Sequence, residues 1–313
     1  EIIKEQHPLF PNNAVPLFIA PGVLKYPAQL NPFMDIDDPM LVPTLGIGGF
    51  THASWKGNSK VSGDDFVYYP KRRMAGNSRG LPNPGREGIL ALRDPIRRLT
   101  ELGIKSIVQV TNLPHETPID VIPMLVSTAA EIHPTAIEVN LSCPNGVRDD
   151  GGLHAPLCND PESSGRVMEA ARLEVGGRFC LGAKDSPHVH SLDEDVREEE
   201  VSSLLAAIIN SIDYVAGINT IGNQAFSELT STNGRGGMSG PVVAPIAHQH
   251  LQICKSFAPD LAYLSCGGVD YQNADVEVPS RLAQGAMLVG GAQDFYRAKQ
   301  PHVQALRWCQ AVL

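Results

Sequence analysis

The segment Ala136-Ile137-Glu138-Val139-Asn140-Leu141-Ser142-Cys143-Pro144-Asn145 sets the reading of the whole chain. It opens with an apolar run carrying a charge at one position, which reads as a strand ending at Asn140. Pro144 has no N–H with which to continue a ladder, so Ser142 and Cys143 fall on a sharp loop past the strand end. Asn140 and Asn145 then flank one thiol. Each carboxamide can donate and accept, which suits a flat polar heterocycle better than a metal or a phosphate. The cysteine itself reads in two ways, as a buried packing residue or as a reactive thiol on a loop with hydrogen-bonding neighbours.

Outward from this segment, seven more short apolar runs occur, at 16–20, 41–47, 104–110, 178–183, 214–219, 261–266 and 286–290. Segments of helical spacing fill most intervals, at 88–102, 118–132, 164–174, 196–210, 242–257, 273–284 and 293–312. Eight strands alternating with helices predict an α/β fold, a single (β/α)8 TIM barrel rather than a doubly wound sheet. No low-complexity linker divides the chain, so residues 1–313 read as one domain. Residues 52–84, after the second strand, are rich in Gly, Ser, Asn and charge, too long for a simple βα loop, and read as an irregular active-site cover. Lys71-Arg72-Arg73 within it reads as a solvated face.

The chain has 313 residues, with 25 Lys and Arg against 34 Asp and Glu, a formal charge of -9 that speaks against nucleic-acid binding. Six cysteines are scattered without pairwise spacing, as expected of free thiols in a reducing compartment. No apolar run approaches the roughly 18 to 20 residues of a spanning helix, and Glu1-Ile2-Ile3-Lys4-Glu5 does not read as a signal peptide. A soluble, cytoplasmic protein without membrane partners is the expectation, and a homodimer stays open.

The distinctive residues fall on one rim of the expected barrel. Asn77, Asn140, Cys143, Lys184, Asn219, Gly267, Gly268, Gly290 and Gly291 stand at or just past strand ends, or in the long loop above them. Lys184 in a barrel mouth needs an anionic or electron-rich partner, holds a carbonyl substrate as a Schiff base, or snorkels to solvent. Cys266-Gly267-Gly268-Val269 and Val289-Gly290-Gly291-Ala292 follow the last two strands, where this barrel usually binds phosphate. Gly236-Gly237-Met238-Ser239-Gly240 reads either as part of that phosphate pocket or as a flexible lid.

Five motifs, Asn140-Leu141-Ser142-Cys143-Pro144-Asn145, Asn77-Ser78-Arg79-Gly80-Leu81-Pro82-Asn83, Asn219-Thr220-Ile221-Gly222-Asn223, Gly236 to Gly240 and Cys266 to Val269, stand in the order that resembles the dihydroorotate dehydrogenase family. The resemblance runs from about Ala20 to the C-terminal helix. It implies a flavin mononucleotide (FMN) barrel that oxidises dihydroorotate to orotate in pyrimidine synthesis, with Cys143 as the base, as in the soluble branch of the family. It also implies a substrate site of Asn77, Arg79, Gly80, Leu81, Asn140, Asn145, Asn219 and Thr220. The FMN site it implies comprises Ala20, Asn140, Lys184, Gly240, Gly267, Gly268, Gly290 and Gly291. A thiol with a reference pKa of about 8.5 suits proton removal from the ring, with activity rising with pH unless the pocket lowers that value, and a flavin takes the hydride.

The chain also departs from the family. The family's lysine near the end of the second strand is absent from Leu45-Gly46-Ile47-Gly48-Gly49-Phe50-Thr51, and Arg79 stands where close members carry a small apolar residue or Met. The loops at 146–152 and 184–188 differ too. Arg79 suits a substrate carboxylate or marks a different substrate, such as another dihydropyrimidine or an enone-like ring. A third class, a barrel without redox function that uses Lys184 as a Schiff-base lyase or binds flavin without chemistry, stands beside these. No metal site is expected: His188 and His190 read as a surface loop, His248 and His250 as surface positions on a helix, and Cys158, Cys180, Cys254 and Cys309 as packing residues.

Overall fold

The computed structural model describes residues 7–9, 15–58, 65–143, 155–189 and 194–313. Eight strands close a parallel barrel: β1 (Leu17–Leu24), β2 (Thr44–Phe50), β5 (Ser106–Val110), β6 (Ala136–Asn140), β7 (Cys180–Lys184), β8 (Tyr214–Gly217), β11 (Ala262–Cys266) and β12 (Leu288–Gly291). These are the eight apolar runs of the sequence, with ends shifted by a few residues. Helices such as Pro118–Ala130, Pro161–Val175, Glu194–Ile208 and Ala244–Phe257 connect them and cover the outside.

Strand alternation divides the core into two shells. Phe18, Ala20, Ile107, Ala136, Tyr214, Ala216, Leu264 and Leu288 belong to one cluster that fills the barrel, with Leu9 packed against it. Ile19, Ile47, Val108, Ile137, Leu181 and Val215 belong to the larger cluster between strands and helices, where Leu125, Val126, Met168, Leu204 and Leu251 meet them. Each such aliphatic side chain, fully buried, contributes about 1.5–3 kcal/mol of transfer free energy.

Register fixes which residues share the rim. Asn140 pairs with Lys184 across β6 and β7, and Cys266 with Gly290 across β11 and β12. The functional positions of neighbouring strands therefore end at one level.

A second, antiparallel sheet was not expected. Its strands β3 (Phe66–Tyr69), β4 (Met74–Asn77), β9 (Ile221–Ala225) and β10 (Arg235–Ser239) lie in the order β3-β4-β10-β9. The stretch 52–84 is thus not wholly irregular, since it supplies half of this sheet, and Gly236 to Ser239 form a strand rather than a loose lid. Arg73 likewise departs from a purely solvated face, its guanidinium lying 3.3 Å from the carboxylate of Asp270. A short helix, Pro27–Met34, also escaped the sequence reading because Pro27 and Pro32 punctuate it. The side chain of Gln29 accepts hydrogen bonds from the backbone N–H groups of Lys25 and Tyr26 and so fixes its start.

Candidate active site

Strand ends, the second sheet and the loops between them enclose one cleft at the C-terminal rim, with about 1110 Å³ of space not filled by protein atoms. Of the residues singled out in the sequence, Ala20, Asn77, Arg79, Gly80, Leu81, Asn140, Cys143, Lys184, Asn219, Thr220, Gly240, Gly267, Gly268 and Gly291 line it. Gly290 does not, because the space a side chain would need there is taken by Phe18 of the adjoining strand. Asn145 lies outside the described residues, as do His190 and the loop 146–152.

Asn140 organises the loop that carries the thiol. Its side-chain oxygen accepts from the backbone N–H of Ser142 at 3.1 Å and from the Ser142 hydroxyl at 3.0 Å. Asn219 donates its amide to the carbonyl of Ser142 at 3.1 Å, so two rim residues from different strands clasp the turn next to Cys143. Beneath them, Gln109 on β5 donates to Glu138 over 2.6 Å and presents its oxygen 3.4 Å from the Asn140 amide. Burial raises the Glu138 carboxyl above its usual range, with Lys184 and the Gln109 hydrogen bond opposing.

Lys184 is 5% exposed and places its ammonium 3.8 Å from the Cys266 sulfur. Across the cleft stands a residue the sequence reading missed. Lys25, just past the end of β1, is 8% exposed and donates to the carbonyl of Pro82 at 2.5 Å. Burial, reinforced by the nearby Arg79 charge and opposed by Cys143, pushes its ammonium down to about 8. Arg79 lies 3.3 Å from the Asp65 carboxylate and sits over the Tyr296 ring, 5.2 Å from its centre. The cleft is lined by three cations, Lys25, Arg79 and Lys184, and by no Asp or Glu among the described residues. Lys25 directly follows β1, as Lys184 ends β7, but the apolar run at 16–20 stops five residues before it.

Glycine-bearing loops also line the cleft. Gly268 has φ +80°, and a Cβ there would lie 2.4 Å from Cα of Ala244, where the helix Ala244–Phe257 begins. Gly240 has φ +106°, and a Cβ there would meet the Arg73 carbonyl. Only glycine brings these backbones so close. Gln293, also unforeseen, ties the walls together by donating to the Arg73 carbonyl at 2.9 Å and accepting from the Ser239 hydroxyl at 3.1 Å. Backbone N–H groups, small residues and carboxylate-free walls fit an elongated phosphorylated cofactor.

The histidines behind the rim correct the sequence reading. His188 is 2% exposed and His250 fully buried, because both turn toward Asp185, the residue after Lys184. Their ring nitrogens lie 2.8 Å and 2.9 Å from its two oxygens. A ligand atom of Cys158 lies within 4.8 Å of the Asp185 and His188 ligand atoms, so a cysteine does stand beside His188. His248 is half-buried between Gln284 and Glu277. None of the six cysteines is disulfide-bonded.

A closed (β/α)8 barrel whose C-terminal rim gathers a thiol, carboxamides, ammonium groups and glycine loops around one cleft has the build of a barrel enzyme. The sequence model of the family described as dihydroorotate dehydrogenase matches residues 12–298, and the chain belongs to that family, one of oxidoreductases. Among curated relatives it is similar to the "Dihydroorotate dehydrogenase B (NAD(+)), catalytic subunit" of three organisms. Identity to that of Lachnoclostridium phytofermentans is 26% over 287 residues, 90% of this chain and 84% of the relative. The Methanopyrus kandleri protein is 26% identical over 214 residues, 66% of this chain and 61% of the relative. For Streptococcus pneumoniae R6 the match is 30% over 208 residues, 64% and 61% of the two chains. The chain thus spans about three-fifths of the length of two of these relatives and more of the third. Among the described residues no helix is long and apolar enough to cross a membrane.

Proposed function

We propose that the protein is an FMN-dependent dihydroorotate dehydrogenase of pyrimidine synthesis, in which Cys143 takes the proton as dihydroorotate becomes orotate. The observation that carries this reading is that one cleft is lined both by Cys143 and Asn140 and by Gly240, Gly267 and Gly268. FMN, when bound, supplies the acceptor for the hydride that leaves the ring carbon next to the deprotonated one. Everything else falls to the chain's own side chains.

Cys143, on a turn held by Asn140 and Asn219, is the cleft-lining group suited to removing a ring proton as thiolate. Lys25 favours that thiolate through its positive charge. Asn77, Asn140, Asn219 and Thr220 offer donors and acceptors for the amide edges of a pyrimidine ring. Lys25 and Arg79 provide positive charge for its carboxylate. Lys184, a buried cation lining the cleft, would offset negative charge on a reduced flavin. Gly240, Gly267, Gly268, Gly291 and Ala20, all lining the cleft, would help to hold the FMN. The relatives' printed names, with NAD(+) and a catalytic subunit, support NAD(+) as an electron acceptor and a further subunit as a partner.

Two measurements test the assignment. Acid treatment of the purified protein should release FMN, and aerobic incubation with dihydroorotate should yield orotate. A protein that neither retains nor takes up FMN contradicts the reading, as does one that converts dihydrouracil but not dihydroorotate.

A further inference from the structure

The cleft has a neighbour. A groove with about 1350 Å³ of unfilled space runs between the start of the helix Pro27–Met34 and the C-terminal segment 295–302. It shares Gly22, Lys25, Arg79, Pro82 and Tyr296 with the cleft, so the same five residues face both spaces. Two of these shared residues are cations.

The groove's charge is at odds with that of the molecule. The chain carries a formal charge of -9, yet no Asp or Glu lines the groove among the described residues, whereas Lys25, Arg79 and Lys299 do, together with His302. Low-dielectric walls lined with one sign of charge focus the field and concentrate ions of the other sign. Lys299 is exposed and Lys25 is buried where groove and cleft adjoin, so the cations step from solvent inward to residues that the two spaces share.

We propose that this groove is the approach and holding site by which a carboxylate-bearing substrate reaches Cys143, with Lys299 as the outer cation and Lys25 and Arg79 as an inner pair shared with the cleft. The inference rests on the reading of the cleft as the substrate site.

The inner pair divides the work. Arg79 is anchored by Asp65 and by the Tyr296 ring, so it forms a fixed wall. Tyr296 is itself tied to β1 by a hydrogen bond from its hydroxyl to the Gly22 carbonyl. Lys25 has three N–H donors, of which the Pro82 carbonyl takes one, and an arriving carboxylate would satisfy the others. A buried ammonium whose affinity for its proton is already lowered gains more from an arriving anion than an exposed one does.

The test uses the thiol at the end of the route and needs no substrate. The flavin-loaded protein is alkylated with iodoacetate, an anion, and with iodoacetamide, its neutral analogue, and modification of Cys143 is followed by peptide mass mapping. The proposal predicts a rate ratio of iodoacetate to iodoacetamide that falls as salt is added, and that falls about tenfold in Lys299→Glu at low salt. Unchanged circular dichroism and retained flavin absorbance in Lys299→Glu report an intact fold. Ala28→Trp, which narrows the groove, should slow both reagents. A wild-type ratio insensitive to salt, or a ratio unchanged by Lys299→Glu, overturns the proposal. Failure of dihydroorotate to reduce the flavin would instead sink the functional reading and leave this ratio unaffected.

Discussion

Nε2 of His250 lies 2.9 Å from Oδ2 of Asp185, with both side chains sealed inside the protein directly behind the rim. The other Asp185 oxygen lies 2.8 Å from His188, and the far nitrogen of His250 lies 2.8 Å from the Tyr263 hydroxyl. The Asp185 backbone accepts from the N–H of Asn219 and donates to the Ala216 carbonyl, so this network sets the height of both Lys184 and Asn219. Replacing Asp185 by Asn leaves the imidazoles without their anion and should cost about 3–5 kcal/mol of stability, read by urea denaturation. Wild-type stability in the variant would show that the network does not hold the rim.

The same network predicts a pH dependence. Burial alone would raise the Asp185 carboxyl, but His188 and His250 outweigh it and hold the carboxyl below its ordinary 3.8. That contribution is present above 3.8 and is lost as the pH falls through the depressed value. Burial alone would lower His188, but Asp185 outweighs it and raises the imidazole above its ordinary 6.5. That contribution is full below 6.5 and is lost as the pH rises through the folded value. Stability from this network should therefore be greatest between about pH 4 and 6.5. Asp185→Asn should flatten the decline on both sides.

Lys25 provides a second pH signature. Its ammonium is pushed down to about 8, so the cation is present below that pH and disappears above it. The affinity for a carboxylate ligand such as orotate should weaken as the pH climbs through about 8. Lys25→Met should lower that affinity about tenfold to a hundredfold at pH 7 and remove the pH dependence in this window. Between about 8 and 10.5 the unfolded chain keeps a proton that the folded one has released, so the Lys25 contribution makes wild-type stability rise with pH there. Titration calorimetry across the window checks the ligand, and orotate affinity in Lys25→Met equal to wild type would remove Lys25 from the site.

At the glycine end the prediction is steric. Gly268→Ala would put a methyl group 2.4 Å from the Ala244 backbone at a positive φ. Strain of about 1–3 kcal/mol should displace the loop and weaken FMN retention about tenfold or more, measured by equilibrium dialysis. Unchanged FMN affinity would place the phosphate elsewhere.

Much of this architecture was legible because a buried parallel strand is written as a short apolar run, which is local information. Ala136 to Asn140 was read to the residue, and each of the other seven runs overlaps a barrel strand. The small sheet was not legible because its strands are four or five residues long, half-buried and interrupted by Gly76, Gly236 and Gly237, so no alternation shows. Nor could a helical pattern show that His250 points at Asp185, since that partner comes from a different strand end 65 residues away. Lys25 was overlooked for a related reason. The apolar run at 16–20 stops five residues short of Lys25, and only the structure shows that the strand continues to Leu24. Asn140, Cys143, Lys184 and Asn219 could be read because each follows directly from a recognisable strand.

Anaerobic mixing of the FMN-loaded protein with dihydroorotate, in wild type and in Cys143→Ala, tests the central claim most directly. The account predicts loss of flavin absorbance in wild type, and in the variant a rate lower by about 10² to 10⁴ with the bound flavin spectrum retained. Equal rates in the two proteins would contradict the assignment of Cys143 as the base.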